Sequence, residues 1–322
     1  MYGHEMNSEN NRALNSVIGA LVADAASMGF HWLYDQVAIK TLSNGTPEFH
    51  APNAKDYIDK GYYAHEGKKP GDYSQYGVQM IAMLDAIAKH GQYDEAQYIQ
   101  AFREWFDMGG KWRGYIDKPT KLTLLNAHAL EAEDKPLSNL GADDTQNPAI
   151  SKLPPLLALH HEDKNLNQLV ESAVRVTNNN DAAVAYALAS AAILKAALSG
   201  KTPIECVHSA KGLSDLTDEA IKRAEERVLK PSSEVATELG MHCGLEASFP
   251  VTVHLLLNAT SYEASIRENI LCGGDNCGRA ILLGAVLAAC YQGTEQDIPR
   301  AWELKVSLPK SLLACQRLLF GK

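Results

Sequence analysis

Residues 182–198 (AAVAYALASAAILKAAL) most limit what this chain can fold into, because they are apolar on nearly every face of a helix. A helix of this kind is stable in water only when other elements surround it. Apolar residues at helical spacing recur along the rest of the chain, and no convincing period-two alternation indicates a strand. The sequence therefore predicts an all-α fold, a single multi-helix domain spanning residues 1–322.

Capping and helix-terminating residues delimit the predicted helices. Asp94 and Asp218 are expected as N-caps, Pro203 in a first turn, and Gly91 and Gly200 as stops. Two long stretches, 44–76 and 136–155, are predicted to be irregular, and loops of that length usually carry function. The predicted helices are 13–28, 78–90, 94–107, 122–132, 165–176, 182–198, 203–213, 218–229, 255–258, 262–271 and 278–291.

Charge and cysteine usage exclude several classes of protein. Thirty Lys and Arg stand against thirty-nine Asp and Glu, a net charge of -9 with no run of five basic residues, so we expect neither a nucleic-acid nor a membrane partner. The first residues lack the pattern of a signal peptide, and the longest apolar run, 280–291, is too short to span a bilayer. Six cysteines without a CxxC pair favour a reducing compartment, so we predict a cytoplasmic protein.

Four loop-to-helix junctions present acidic or amide side chains: GALVADA (19–25), PGDYSQYG (70–77), ADDTQNP (142–148) and CGGDNCGR (272–279). Glycines before a helix let backbone N–H groups approach an anion, so Gly273-Gly274-Asp275 could hold a phosphate or a metal. The same tripeptide is also an ordinary turn with an N-cap. Asp24 lies in an otherwise apolar helix, where a carboxylate needs a hydrogen-bond partner or a catalytic role.

In order and spacing, these junctions resemble the ADP-ribosylglycohydrolase family, most closely its jellyfish J-crystallin-like branch. The family motif GxxxGDA corresponds to residues 19–25, with alanine for the second glycine. NGxxMRxxP corresponds to 147–155, with lysine for arginine, and THxHPxAV to 177–184, with asparagine for both histidines. GGDxDTxA corresponds to 273–280.

The resemblance implies a hydrolase that cleaves N- or O-glycosidic bonds of ADP-ribose with two magnesium ions. Family metal ligands come from a TDD triplet and from DxDT. Here the triplet falls on Ser74-Gln75-Tyr76, and the second Asp and the Thr fall on Cys277 and Gly278. Because carboxylates supply most of the binding of magnesium, we predict no metal site, or a weak and vestigial one, and no other cofactor.

We therefore predict a divergent glycosidase-type hydrolase acting on an ADP-ribosyl or related ribosyl compound. Two alternatives stay open: an inactive nucleotide-binding or crystallin-like structural protein, and catalysis by a Cys277 thiol acidified by a helix dipole. Asp72 could replace a lost carboxylate, and Asp143-Asp144 could be only a solvated turn. The predicted catalytic residues are Asp24, Asp144 and Asp275. The predicted substrate-binding residues are Ser74, Gln75, Tyr76, Asn147, Asn178, Asn276 and Arg279.

Overall fold

Helices joined by loops make up nearly all of this computed structural model, which describes residues 2–321 with side chains from residue 8 onward. Within that range β-pairing is limited to isolated bridges, so the all-α prediction is confirmed. The helices are α1 (Tyr2–Ser27), α2 (Gln36–Ser43), α3 (Gln75–His90), α4 (Glu95–Phe106), α5 (Lys118–Ala132), α6 (Pro148–Ser151), α7 (Leu153–His160), α8 (Leu166–Arg175), α9 (Asp181–Leu198), α10 (Pro203–His208), α11 (Asp215–Glu225), α12 (Ser232–Leu239), α13 (Leu245–Leu257), α14 (Tyr262–Leu271), α15 (Asn276–Cys290), α16 (Arg300–Glu303) and α17 (Lys310–Phe320).

Helices α1 and α15 pack closely against each other at the centre of the fold. Gly19 and Gly284 face each other where they cross, and a Cβ on Gly19 would lie 2.3 Å from the Cβ of Ala288 and 2.6 Å from the Gly284 carbonyl oxygen. Only glycine permits this approach. Because Asp24 lies on α1 and Asp275 caps α15, the close packing also fixes the separation of these two carboxylates.

The predicted helix ends are partly right. Asp94 caps α4, Gly91 ends α3 in the left-handed conformation, and Pro203 opens α10, as predicted. Asp218 is not an N-cap: Ser214 caps α11, and Asp218 instead accepts hydrogen bonds from the amide of Gly212.

The predicted helix boundaries were wrong in two segments that contain proline. Helix α13 runs through the buried Pro250, whereas the sequence indicated only its last turn. The stretch 136–155, predicted to be irregular, contains α6 and the start of α7, both of which carry proline in the first turn. Proline is tolerated there because the first turn has unbonded N–H groups in any case.

Two segments, Ser8–Phe30 and Asp181–Leu198, are long and apolar enough to cross a membrane by length and composition. Both are largely buried against the other helices, as the core helices of a globular protein are. Helix α9 contacts α7, α8, α10 and α15, which agrees with the prediction that it is surrounded. One connected apolar cluster extends from Ala13 in α1 to Cys315 in α17.

Candidate active site

Asp275 lies at the start of α15, where two consecutive glycines bring three loops together. Gly273 and Gly274 both have positive φ, and a Cβ on Gly274 would lie 2.1 Å from the carbonyl oxygen of Met241. The Gly274 carbonyl accepts from the amide of Trp32, and the amide of Asp275 donates to Met241. The glycine pair therefore serves the turn that positions the Asp275 carboxylate.

The Asp275 carboxylate is fully buried and accepts four hydrogen bonds. Oδ1 accepts from His31 Nε2 at 2.7 Å and from the backbone amide of Gly278 at 3.1 Å. Oδ2 accepts from Asn147 Nδ2 at 2.8 Å and from the Tyr76 hydroxyl at 3.1 Å. Burial alone would raise its pKa, but His31, Asn147 and the charge of Arg279 hold the pKa of Asp275 below its usual value. Asp275 is therefore a carboxylate at neutral pH.

His31 extends this network to a second histidine. Its Nδ1 lies 2.7 Å from Nε2 of His65, and both rings are buried. Burial and the charges of His31 and Lys68 hold the pKa of His65 well below its usual value. His65 Nδ1 is buried and has no hydrogen-bond partner among the described residues. If His31 Nε2–H donates to the carboxylate and His65 Nε2–H to His31, the free His65 Nδ1 carries a lone pair.

Asp24 forms a separate buried contact with the start of α3. Its Oδ1 accepts from the Ser74 hydroxyl at 2.5 Å and its Oδ2 from the Ser74 amide at 2.9 Å. Ser74 in turn caps α3 through the amide of Tyr76. Burial raises the pKa of Asp24 to about 7, although the Ser74 hydrogen bonds oppose the shift.

Asp117, which the sequence analysis missed, is a further buried carboxylate. Its Oδ1 caps α5 by accepting from the amide of Thr120 at 2.9 Å, and its own amide donates to Gln75 Oε1 at 2.8 Å. Oδ2 of Asp117 and Nε2 of Gln75 are buried without a partner in the described structure. Burial raises the pKa of Asp117 to about 7, and Asp275 and Asp144 add to the shift. Asp-Lys-Pro at a helix start is a cap signal that could have identified it.

Lys152, at the position of the motif arginine, lies in the same interior. It is fully buried and donates from Nζ to the Thr177 hydroxyl. Burial holds its pKa well below the usual value, and the nearby charge of Asp117 opposes that shift.

The loop 142–148 is attached to the site through amide side chains. Asn147 accepts from the Ser248 hydroxyl at 2.9 Å while donating to Asp275, and Asn178 Nδ2 donates to the carbonyl of Asp144 at 3.0 Å. The Asp144 carboxylate accepts from the amide of Gln146, two residues on, at 2.8 Å. Asp144 thus forms an Asx turn, but it is buried and not the solvated turn of the structural alternative, and burial raises its pKa.

The remaining candidates at the start of α15 are buried. Arg279 donates to Asn269 Oδ1 at 2.8 Å and to the Gly273 carbonyl at 2.6 Å, so it braces the turn and does not form an ion pair with Asp275. Both side-chain polar atoms of Asn276 are buried and unpaired within the described chain.

Burial, together with the charges of Asp24 and Asp275, raises the pKa of Cys277 well above its usual value. This shift is opposite to the one that a dipole-acidified Cys277 nucleophile requires, so it disfavours that hypothesis.

Three aromatic side chains, the buried Trp32 and the more exposed Tyr62 and Tyr115, form an edge-to-face cluster. The ring of Trp32 lies 5.0 Å from that of Tyr115 and 5.8 Å from that of Tyr62. The charge of Asp117 acts on Tyr115 and that of Asp275 on Tyr34. Burial together with these charges raises the pKa of each tyrosine to about 12. Tyr34 and Tyr115, which are partly exposed, therefore lie close to the buried carboxylates.

Comparison with known proteins identifies the family of this chain. The model of the ADP-ribosylglycohydrolase family matches residues 5–319. The chain belongs to this family. It is similar to Crystallin J1A of Tripedalia cystophora, with 28% identity, and to Crystallin J1B of the same organism, with 27% identity. Each match includes 92% of this chain, and the matches include 92% of Crystallin J1A and 93% of Crystallin J1B. A structure titled "ADP-ribosylglycohydrolase-related protein complex" shares the fold, with TM-score 0.68, 18% identity, and coverage of 98% of this chain and 99% of that one.

In this member of the ADP-ribosylglycohydrolase family, five of the ten predicted site residues fall into two hydrogen-bonded groups. Tyr76 and Asn147 meet at Asp275, whereas Ser74 meets Asp24. Asp72 does not enter the site: it is exposed and accepts from the amide of Lys69. No group of three or more His, Cys, Asp or Glu side chains among the described residues is arranged to hold a metal ion.

Proposed function

We propose that this chain is a glycosidase-type hydrolase that acts on an ADP-ribosyl or related ribosyl compound without magnesium. One observation carries the proposal: neighbouring buried carboxylates have opposite pKa shifts. Asp275 is held as an anion, whereas the pKa values of Asp24 and Asp117 are raised to about 7. Glycosidases use such a division, with one carboxylic acid to protonate the leaving group and one carboxylate to assist water or the cationic sugar.

Of the two raised carboxyl groups, Asp117 is the better proton donor. Both oxygens of Asp24 accept from Ser74, but Oδ2 of Asp117 is unpaired and its proton is free to leave. Asp275 would stabilise the positive charge that develops on the sugar, and Asp24 and Asp144 would contribute electrostatically. Ser74, Gln75, Tyr76, Asn147, Asn178, Asn276 and Arg279 would shape the ligand pocket.

The residues present do not fit a pair of magnesium ions. Magnesium requires near-octahedral oxygen ligands, mostly from carboxylates and water. Both oxygens of Asp275 are already used by protein donors, and the family ligand positions at Tyr76 and Cys277 carry a phenol and a buried thiol. A Cβ on Gly278, where the motif has threonine, would lie 2.1 Å from Asn147 Nδ2. The proposed chemistry therefore uses protein side chains alone.

The proposed nucleoside contact is the aromatic cluster of Trp32, Tyr62 and Tyr115. Tyr62 is about half exposed, which leaves its ring available for stacking. Asp275 and Asp117 are buried, so side chains would have to move before a substrate reached them. The partly exposed Tyr34, Tyr115 and Cys243, whose pKa values respond to the charge of Asp275, are the side chains that we propose to move.

Thermal unfolding with millimolar ADP-ribose, in EDTA or in magnesium, tests binding. A ligand at about 100 times its Kd should stabilise the protein by about 2.7 kcal/mol, and we expect the same shift in both buffers.

Turnover is then measured on an N-linked and an O-linked ADP-ribosyl conjugate. Asp117→Asn and Asp275→Asn should each lower kcat by about a hundredfold or more. Glu295→Gln, an exposed carboxylate elsewhere, is the control. A shift that requires magnesium contradicts the proposal.

The second candidate is an inactive, crystallin-like structural protein. The mutual hydrogen bonding of Asp275, His31, Tyr76 and Asn147 favours it, because a site that satisfies its own polar groups needs no ligand. The similarity to the J-crystallins agrees with it. No thermal shift with ADP-ribose in either buffer, together with no turnover of either conjugate, would favour this second function over the first.

A further inference from the structure

A cavity of about 600 Å³ lies between the segment 68–73, the loop 111–113 and the chain around the start of α17. It shares no lining residue with the network around Asp275. Its size is within the range of small-molecule sites. The cavity is therefore a separate place where a ligand could bind.

Cationic side chains dominate this cavity, although the chain as a whole has a net charge of -9. Two carboxylates, Asp72 and Asp85, also line it, but Asp72 accepts from the amide of Lys69 and Asp85 from the indole of Trp105. The lining cations are Lys68, Lys111, Arg113, Lys305 and Lys310.

Only one of these cations forms an ion pair within the described structure. Lys111 forms an ion pair with Glu104 at 3.5 Å. The other four form no ion pair with a side chain of residues 8–321, and Arg113 donates only to backbone carbonyls of its own loop. Five cations against two carboxylates leave the cavity wall with a net positive charge, which favours the entry of an anion.

Two tryptophan rings hold cations at the cavity wall. Lys68 Nζ lies 4.0 Å from the centre of the Trp112 ring, and Lys111 Nζ lies 5.2 Å from that of Trp105. Such cation–π contacts keep the ammonium groups at the wall instead of extended into water. Less ordering of these side chains is then needed when a ligand binds.

The start of helix α17 lines the same cavity through Pro309, Lys310 and Ser311. Its N-cap residue, Pro309, provides no side-chain cap, and the hydroxyl of Ser311 in the first turn is buried without a partner among the described residues. Free N–H groups at a helix start bind anions. This end of α17 adds hydrogen-bond donors to the charge of the lysines.

We propose that the cavity binds a multiply phosphorylated anion, such as pyrophosphate or the diphosphate of a nucleotide. Several cations spread around one volume suit several phosphate groups better than a single carboxylate. The helix start and Ser311 would bind one phosphate, and Lys68, Lys305 and Lys310 would neutralise the remaining charge. This site does not depend on the hydrolysis proposed above.

Isothermal titration of the full chain with pyrophosphate, at fixed ionic strength, tests the proposal. Lys305→Gln/Lys310→Gln should weaken binding by at least about tenfold, because two charged partners are lost. Lys55→Gln/Lys201→Gln, which removes two exposed lysines elsewhere, should change Kd by less than about twofold. Lys68→Gln is an independent variant from the opposite wall, and the melting temperature of each variant reports folding.

Three results with the wild type and the lysine variants would overturn the site. The first is no heat with millimolar pyrophosphate. The second is equal binding by wild type and Lys305→Gln/Lys310→Gln. The third is equal binding of sulfate and pyrophosphate. Asp117→Asn should leave pyrophosphate binding unchanged, so a loss in that variant alone would place the anion in the central site and contradict the proposal. Failure of ADP-ribose turnover has no bearing on these measurements.

Discussion

Tyr76 donates its hydroxyl to Oδ2 of Asp275 at 3.1 Å, from a position where the family motif has a carboxylate. A carboxylate at that position would repel Asp275 unless a cation lay between them, whereas a phenol stabilises Asp275 directly. Burial holds the pKa of Tyr76 well above its usual value, so the phenol is a permanent donor at neutral pH. Tyr76 thus supplies a hydrogen-bond donor to Asp275 at a position where the family motif has a carboxylate.

Tyr76→Phe should destabilise the fold by about 1–3 kcal/mol, because it removes a donor from a buried, charged acceptor. The matched control is Tyr98→Phe. Tyr98 is equally buried, but its hydroxyl has no partner among the described residues, so removal of that hydroxyl should cost little or nothing. Denaturant unfolding of both variants measures the difference. Equal losses would mean that the hydroxyl of Tyr76 contributes nothing specific to Asp275.

Asp24→Asn should change the pH dependence of stability. The pKa of Asp24 is raised from 3.8 to about 7, so between these values the folded chain holds a proton that the unfolded chain has lost. A rise in pH through this window therefore favours the unfolded chain, in which Asp24 is ionised, and the wild type loses stability. Asparagine cannot ionise, so its stability relative to wild type should rise by roughly 1.4 kcal/mol per pH unit from about pH 4 to 7 and then stay level.

Unfolding at intervals from pH 4 to pH 9 measures this difference. Subtraction of the wild-type curve removes the contributions of other shifted groups, such as His65 and Lys152. The exposed Glu295→Gln variant should give a difference that does not vary over the same window. A flat difference for Asp24→Asn would show that Asp24 is ionised in the folded protein throughout.

The sequence was sufficient to predict the helical architecture, because that architecture depends on local signals. The apolar helix α9 and the helix Tyr262–Leu271 were both predicted to within one residue. Local rules were insufficient where packing overrides them, as at Pro250 inside α13. The burial of that helix compensates for the backbone hydrogen bond that proline cannot make.

The site could be predicted only as far as motifs extend. Asp24, Ser74, Tyr76, Asn147 and Asp275 all lie in motif positions, and the structure brings them into two hydrogen-bonded groups. Partners outside the motifs were missed, because contacts between residues distant in sequence leave no local pattern. His31 and His65 are 34 residues apart, and Asp117 reaches the site through Gln75, 42 residues away.

Gly19→Ala should destabilise the protein by about 1–3 kcal/mol, although alanine favours an isolated helix. The added methyl would lie 2.3 Å from the Cβ of Ala288 and force α1 and α15 apart. Ala288→Gly in the same chain should restore part of the lost stability, because it removes the Ala288 Cβ that the new methyl group would contact. Chemical unfolding of the two single variants and the double variant measures this coupling, and strict additivity would refute the packing explanation.

Cys277→Ala should retain turnover to within about twofold of wild type, if the chain hydrolyses either conjugate. The thiol is fully buried, and burial with the charges of Asp24 and Asp275 keeps it protonated, whereas a nucleophilic cysteine must be a thiolate. Alkylation of the native protein should therefore modify the partly exposed Cys243 and Cys290 before Cys277, as peptide mass mapping would show. Loss of turnover in Cys277→Ala at an unchanged melting temperature would restore cysteine-based catalysis, since the smaller side chain removes the thiol without adding a polar group to the interior.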